Sequence, residues 1–249
     1  MAHMIWGSLI SFWMVIQFPD NAMAWQEVFL RWFHFLAGIT WIGMLYFFNL
    51  VNVNLMKALD APTKGKVIPQ LMPRALFWFR WGAVGTVFIG IWYYMIILSR
   101  EPSVGRIFGT WLAVVIVAWL LIFLLLRPIS GALNNGYLIA LLVAIIVSLM
   151  AWCVLHFNAT PDSSNRALSI GVGGGMGVIM LLNVWGIIWP HQKRIIAWTK
   201  ANAESGTPVP PESAKLARRA FLASRMNAWL SLPMLFFMGA ASHFPFLGK

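Results

Sequence analysis

Residues 28–51 read VFLRWFHFLAGITWIGMLYFFNLV, an unbroken apolar run apart from one arginine and one histidine. About 20 such residues in a helix cross the hydrocarbon core of a bilayer. Five further runs of that kind follow, at 75–98, 107–126, 137–157, 167–189 and 226–244. An earlier run, MIWGSLISFWMVIQF at 4–18, is short and lacks the basic start and small-residue cleavage site of a signal peptide. It reads as a thin seventh span or an interfacial helix. The fold expected is all-α, a polytopic transmembrane helix bundle forming one membrane domain over 1–249. Residues 1–24 hold the short span or interfacial helix, and 199–217 a polar cytoplasmic connector.

Composition points the same way. Of 249 residues, 60% are hydrophobic and only 10% charged, with 15 tryptophans and 18 phenylalanines. That excludes a soluble globular class. The net charge of +11 does not mark a nucleic-acid binder, because the cations sit in loops between apolar runs. Placing the loop after residue 51 in the cytoplasm puts twelve lysines and arginines inside and four outside. The positive-inside rule then sets a bacterial inner membrane topology with the C-terminus outside. Cys153 is alone, so no internal disulfide forms, and no CxxCH is present to carry a covalent c-type haem.

All seven acidic residues fall outside the six main spans. An ion-coupled transporter commonly needs an intramembrane carboxylate, so that class is disfavoured. Histidines and arginines remain. His34 lies about 9 Å inside its helix at 1.5 Å per residue, while His156 and His243 close their spans on the same side. His191 stands at the other side, in WPHQKR. Imidazoles on facing helices with apolar walls suit a b-type haem, with His34 the deepest candidate. Gly38, four residues on, shares its face and leaves room for a flat macrocycle. Arg31, one turn before His34, either snorkels or pairs with a carboxylate of a cofactor or substrate. His156 and His191 read equally as interfacial polar groups. In GVGGGMG, the glycine pairs 171/175 and 173/177 clear a helix face for a neighbour or a cofactor. Pro233 should kink the last helix and free the Trp229 carbonyl.

Three stretches, RWFHFLAGITWIG, NVWGIIWPHQKRI and RMNAWLSLPMLFFMGAASHFPF, together resemble the membrane domain of the bacterial urate hydroxylases, also called the urate oxidase N-terminal domain. The resemblance runs from about residue 25 to residue 246. It implies a multi-span oxidoreductase that hydroxylates urate and passes electrons to a c-type cytochrome. By matched position it implies His34 and His243 as axial ligands of an outer-side b haem, with His156 a further ligand or a proton acceptor. The WPHQKR motif contributes His191 and Gln192. That family's cytochrome c domain is not in these 249 residues, so a separate cytochrome c or respiratory partner is expected. The alternative is a non-catalytic or electron-relaying subunit of a larger respiratory or photosynthetic complex. Membrane lipid is the other expected partner.

Overall fold

A computed structural model describes residues 18–127 and 135–248. The short run at 4–18 lies, apart from Phe18, outside the described residues. Within them the chain forms six helices: α1 (Ala22–Ala58), α2 (Ala61–Leu98), α3 (Val104–Leu125), α4 (Gly136–Asn158), α5 (Asn165–Ser205) and α6 (Glu212–His243). The first five are long and apolar enough to cross a membrane. The sixth is 32 residues long, but its first half, ESAKLARRAFLASR, is basic, and only its second half is apolar.

Local chemistry fixes the starts. Asn21, Asp60, Asn135 and Ser164 each accept a hydrogen bond from a backbone N–H in the first turn of their helix, meeting a donor that the helix cannot satisfy. At Asp60, hydrogen bonds from the Thr63 side chain and backbone hold the carboxyl below its ordinary value of 3.8. A depressed folded-state value means that the cap contributes stability above that ordinary value. The contribution is lost as pH falls through the depressed one. The protection of the Thr63 and Lys64 amides, taken against the intrinsic exchange rate at each pH, should therefore fall on acidification below about pH 4, a change that Asp60→Asn should abolish.

The helices run further than the apolar runs. α2 begins at Ala61 rather than 75 and carries Pro69 and Pro73 inside it. The segment expected as a connector, 199–217, is mostly helix, and only 206–211 is not. Its alanines, lysines and glutamates favour helix on both sides. The break comes at Gly206, which adopts φ 69°, a left-handed conformation that suits a helix end. Two π-helical turns, Phe47–Asn52 in α1 and Val184–Ile188 in α5, interrupt otherwise α-helical runs.

Successive helices are antiparallel, so one end of the bundle gathers the starts of α1, α3 and α5 and the ends of α2, α4 and α6. It is called the histidine end here. Arg100 and Arg166 both reach Glu27 there. The Asn165 side chain donates to the Ala240 and Ala241 carbonyls and accepts from the Phe246 and Leu247 amides, clamping α6 to α5. At the opposite end Arg194 pairs with Glu212.

α5 is the central helix: 78% of its apolar window is buried, against 28–44% for the other four. Its glycines make this possible. A Cβ on Gly173 would lie 3.2 Å from the Met234 carbonyl oxygen, and one on Gly175 would lie 3.0 Å from Val115. Outward faces carry Phe35, Ile39, Phe88 and Trp92, all more than half exposed. Helices with such faces fit embedding in lipid.

Candidate functional site

α1, α2, α3, α5 and α6 line a cavity of about 130 Å³ below the histidine end. It reaches Gly90, about 12 Å from the end of α2 at 1.5 Å per residue. His34 enters from α1, and its ring lies against Gly90: a Cβ there would stand 2.9 Å from Cε1 and 3.1 Å from Nδ1. Nδ1 is 2.9 Å from the Thr86 backbone carbonyl. A carbonyl only accepts, so Nδ1 carries the proton and Nε2 keeps its lone pair. Among the described residues Nε2 has no partner.

Two more groups in the cavity wall are unspent. The Trp41 indole N–H and the Tyr93 hydroxyl are buried without hydrogen-bond partners among the described residues. Buried donors of this kind are costly in apolar surroundings, which makes their pairing here informative. Arg31 stands at the exposed rim. Phe35, Tyr94 and Trp111 supply aromatic walls, and Gly173, Gly174 and Gly177 clear the α5 side. The Trp111 indole is already spent on the Gly171 carbonyl, at 2.7 Å. The cavity thus offers one acceptor, one cation at the mouth and flat apolar faces, with the Trp41 and Tyr93 donors closed off behind its wall and reachable only if the wall side chains shift. A planar heterocyclic anion is matched by that set.

The residues read from sequence divide. Arg31 and His34 line the cavity. Gly38 does not: it faces Thr86 at 3.8 Å and lets α1 and α2 approach. The expectation that it makes room for a macrocycle is corrected, and Gly90 has that place beside the imidazole. His156 is exposed and stacks on Trp152 at 4.8 Å. His243 is exposed at the end of α6 and does not line the cavity, although its neighbours Ala241 and Ser242 do. Among the described residues no three His, Cys, Asp or Glu side chains form a metal-ligand cluster. His191 sits toward the opposite end, with Nδ1 bonded to the Ile187 carbonyl. Gln192 borders a separate cavity of about 90 Å³ with Asn49 and Asn52.

A tetrapyrrole does not fit this arrangement. Pockets for drug-sized ligands run to about 300–1,000 Å³, well above the volume beside His34, and among the described residues no second imidazole lines the cavity. The donor set suits one bond to His34 Nε2, but the space does not admit the ring around it.

Trp41, Tyr93 and Gly90 escaped the sequence reading. Buried indoles and phenols are usually core. A signal for Gly90 existed in the four-residue recurrence of Gly82, Thr86 and Gly90, which marks a close-approach face of α2.

Comparison with known proteins bears on the same chain. The family model for "Urate oxidase N-terminal" matches residues 59–249. The chain belongs to that family. The match begins at the end of α1, so the urate oxidase N-terminal model covers α2 to α6 but not the helix carrying Arg31, His34 and Trp41. No curated protein and no solved structure matches the chain.

Proposed function

We propose that this chain is a membrane redox protein that binds a planar purine anion of urate type in the cavity beside His34. Its electrons leave to a separate partner, a c-type cytochrome or a respiratory complex. The observation that carries the proposal is a cavity in which the His34 Nε2 acceptor lies between aromatic walls with Arg31 at the mouth, while two residues of its wall, Trp41 and Tyr93, hold unpartnered donors. A urate-type ring presents N–H and C=O groups alternately around its edge, and it needs both kinds of partner. At about 130 Å³ the cavity is smaller than the roughly 150 Å³ that admits benzene, so a purine enters it by one edge only, with the rest of the ring at the open mouth.

Each residue has a task. Trp41 and Tyr93 donate to ring carbonyl oxygens, and Arg31 balances the anionic charge at the rim. His34 Nε2 takes the proton that leaves a ring nitrogen when the ring is oxidised, with Nδ1 held by the Thr86 carbonyl. Oxidation of the urate monoanion with addition of one water releases one proton and two electrons, which two one-electron cytochrome molecules, or a complex that takes both, accept. The positive-inside pattern supports a histidine end on the non-cytoplasmic side of a bacterial inner membrane, where a soluble cytochrome would dock.

The test is a urate titration of the detergent-purified protein, read by quenching of cavity tryptophan fluorescence. His34→Ala and Tyr93→Phe should each weaken binding by about tenfold, the worth of a hydrogen bond to a charged partner. A folded protein with no urate affinity, or variants that bind as wild type does, would overturn the proposal. That result would favour the non-catalytic subunit of a larger membrane complex.

A further inference from the structure

A second cavity, of about 960 Å³, lies in a groove between α4 and α6 and shares no lining residue with the His34 cavity. Its α4 wall is cut from small side chains, Ala140, Ala144, Ser148 and Ala151. Its α6 wall is apolar and aromatic, with Trp229 66% exposed and Pro233 one turn further on. From Gly136 to Ala151 the α4 wall extends about 22 Å at 1.5 Å per residue. That exceeds the roughly 15 Å of one hydrocarbon leaflet, half of a 30 Å core.

The groove is charged at one end only. Arg218 and Arg225 line it, seven residues apart and so on one face of α6. Both are half-buried, and both hold their guanidinium groups over the Phe221 ring, at 5.8 and 5.4 Å. A Cβ at Gly136 would lie 3.9 Å from Arg218 Nη2, so this cation reaches the first turn of α4. The positive end of the α4 helix dipole adds to the field. No carboxylate is among the described lining residues.

A small soluble anion has no use for a 22 Å apolar trough, and an apolar peptide has no use for two arginines at its end. A molecule with an anionic head and long alkyl tails uses both. We infer that the groove between α4 and α6 is a binding site for an anionic phospholipid, with its phosphate between Arg218, Arg225 and the start of α4 and its acyl chains along the Ala140–Ala144–Ser148 wall. The charged end lies at the bundle end opposite His34, which also carries Lys193, Arg194 and Lys215. That concentration of cations suits a leaflet rich in anionic headgroups.

Native mass spectrometry of the full chain, titrated with phosphatidylglycerol or phosphatidylcholine, tests this. Wild type should prefer phosphatidylglycerol by about 30-fold, the combined effect of two cations near a membrane surface. Arg218→Gln with Arg225→Gln should reduce that preference to near one. Ala144→Phe, which keeps both cations but fills the trough, should reduce retention of both lipids. Equal binding of the two lipids by wild type would overturn the site. So would displacement by millimolar inorganic phosphate, or an Ala144→Phe variant with unchanged retention, since either would mean that the cations hold a free anion. Increased lipid retention on deletion of residues 2–17 would assign the groove to that segment instead.

Discussion

Gly173→Val is expected to cost the bundle about 3 kcal/mol or more, at the upper end for overpacking a closed interior. A Cβ at this position meets Met238 Cε and Phe237 Cβ at 2.9 Å and the Met234 carbonyl oxygen at 3.2 Å. The methionine tip can swing away. The Phe237 Cβ and the Met234 carbonyl cannot, because both are fixed to the α6 backbone. Two γ-methyl groups then add to a contact that has no room for one carbon, so α5 and α6 must part. Those helices are also clamped at their shared end by Asn165, so the displacement is resisted rather than absorbed. A loss of that size corresponds to a fall in Tm of roughly 10 °C for a protein of this length. Thermal size-exclusion profiles in detergent would show it. Gly177→Ala is the control. It lies one turn along on the same helix and has nothing within 4 Å of the added carbon, so its Tm should stay within a degree or two of wild type.

That contrast shows what the sequence could and could not convey. The glycine run of α5 announces a close-packed face, and the apolar runs announce the spans, since both depend on local composition. Which glycine touches what depends on partners far away in sequence. Gly38 and Gly90 are alike as letters, and Gly38 has the more suggestive place, one turn from His34 in its own helix. Yet the imidazole turns away from its own helix toward α2, because the Thr86 carbonyl there takes its Nδ1 proton. A polar group at that depth is settled by whatever acceptor lies across the interface, and no spacing within α1 encodes the acceptor. The axial pairing of His34 with His243 met the same obstacle. Shared depth made them candidates, but the chain ends α6 with His243 turned to the exposed surface, and only its neighbours reach the cavity. Trp41 and Tyr93 were illegible for a different reason. Their value lies in an unfilled hydrogen bond, which is a property of the assembled wall and not of the residue.

Gly90→Val should separate the site from the fold. Its Cβ would stand 2.9 Å from His34 Cε1 and 3.1 Å from Nδ1, and among the described residues those ring atoms are the only nearby obstruction. The ring must therefore leave the Thr86 carbonyl, and with it goes the constraint that keeps the proton on Nδ1 and the lone pair on Nε2. Displacement of a positioned group by about 1 Å can cost on the order of 100-fold. Urate affinity should fall by about that factor in the fluorescence titration, more than in His34→Ala, because the shifted imidazole also intrudes on the cavity. Helix packing is largely spared, since no backbone atom outside α2 lies within 4 Å of the new carbon. Tm should consequently drop far less than in Gly173→Val. Gly38→Ala provides the opposing control: its added carbon meets Thr86 at an ordinary 3.8 Å and lies outside the cavity. Affinity should be unchanged there. If Gly38→Ala weakened binding as Gly90→Val does, the ligand would lie between α1 and α2 and not beside His34. If Gly90→Val left affinity intact, the imidazole would have no part in holding it.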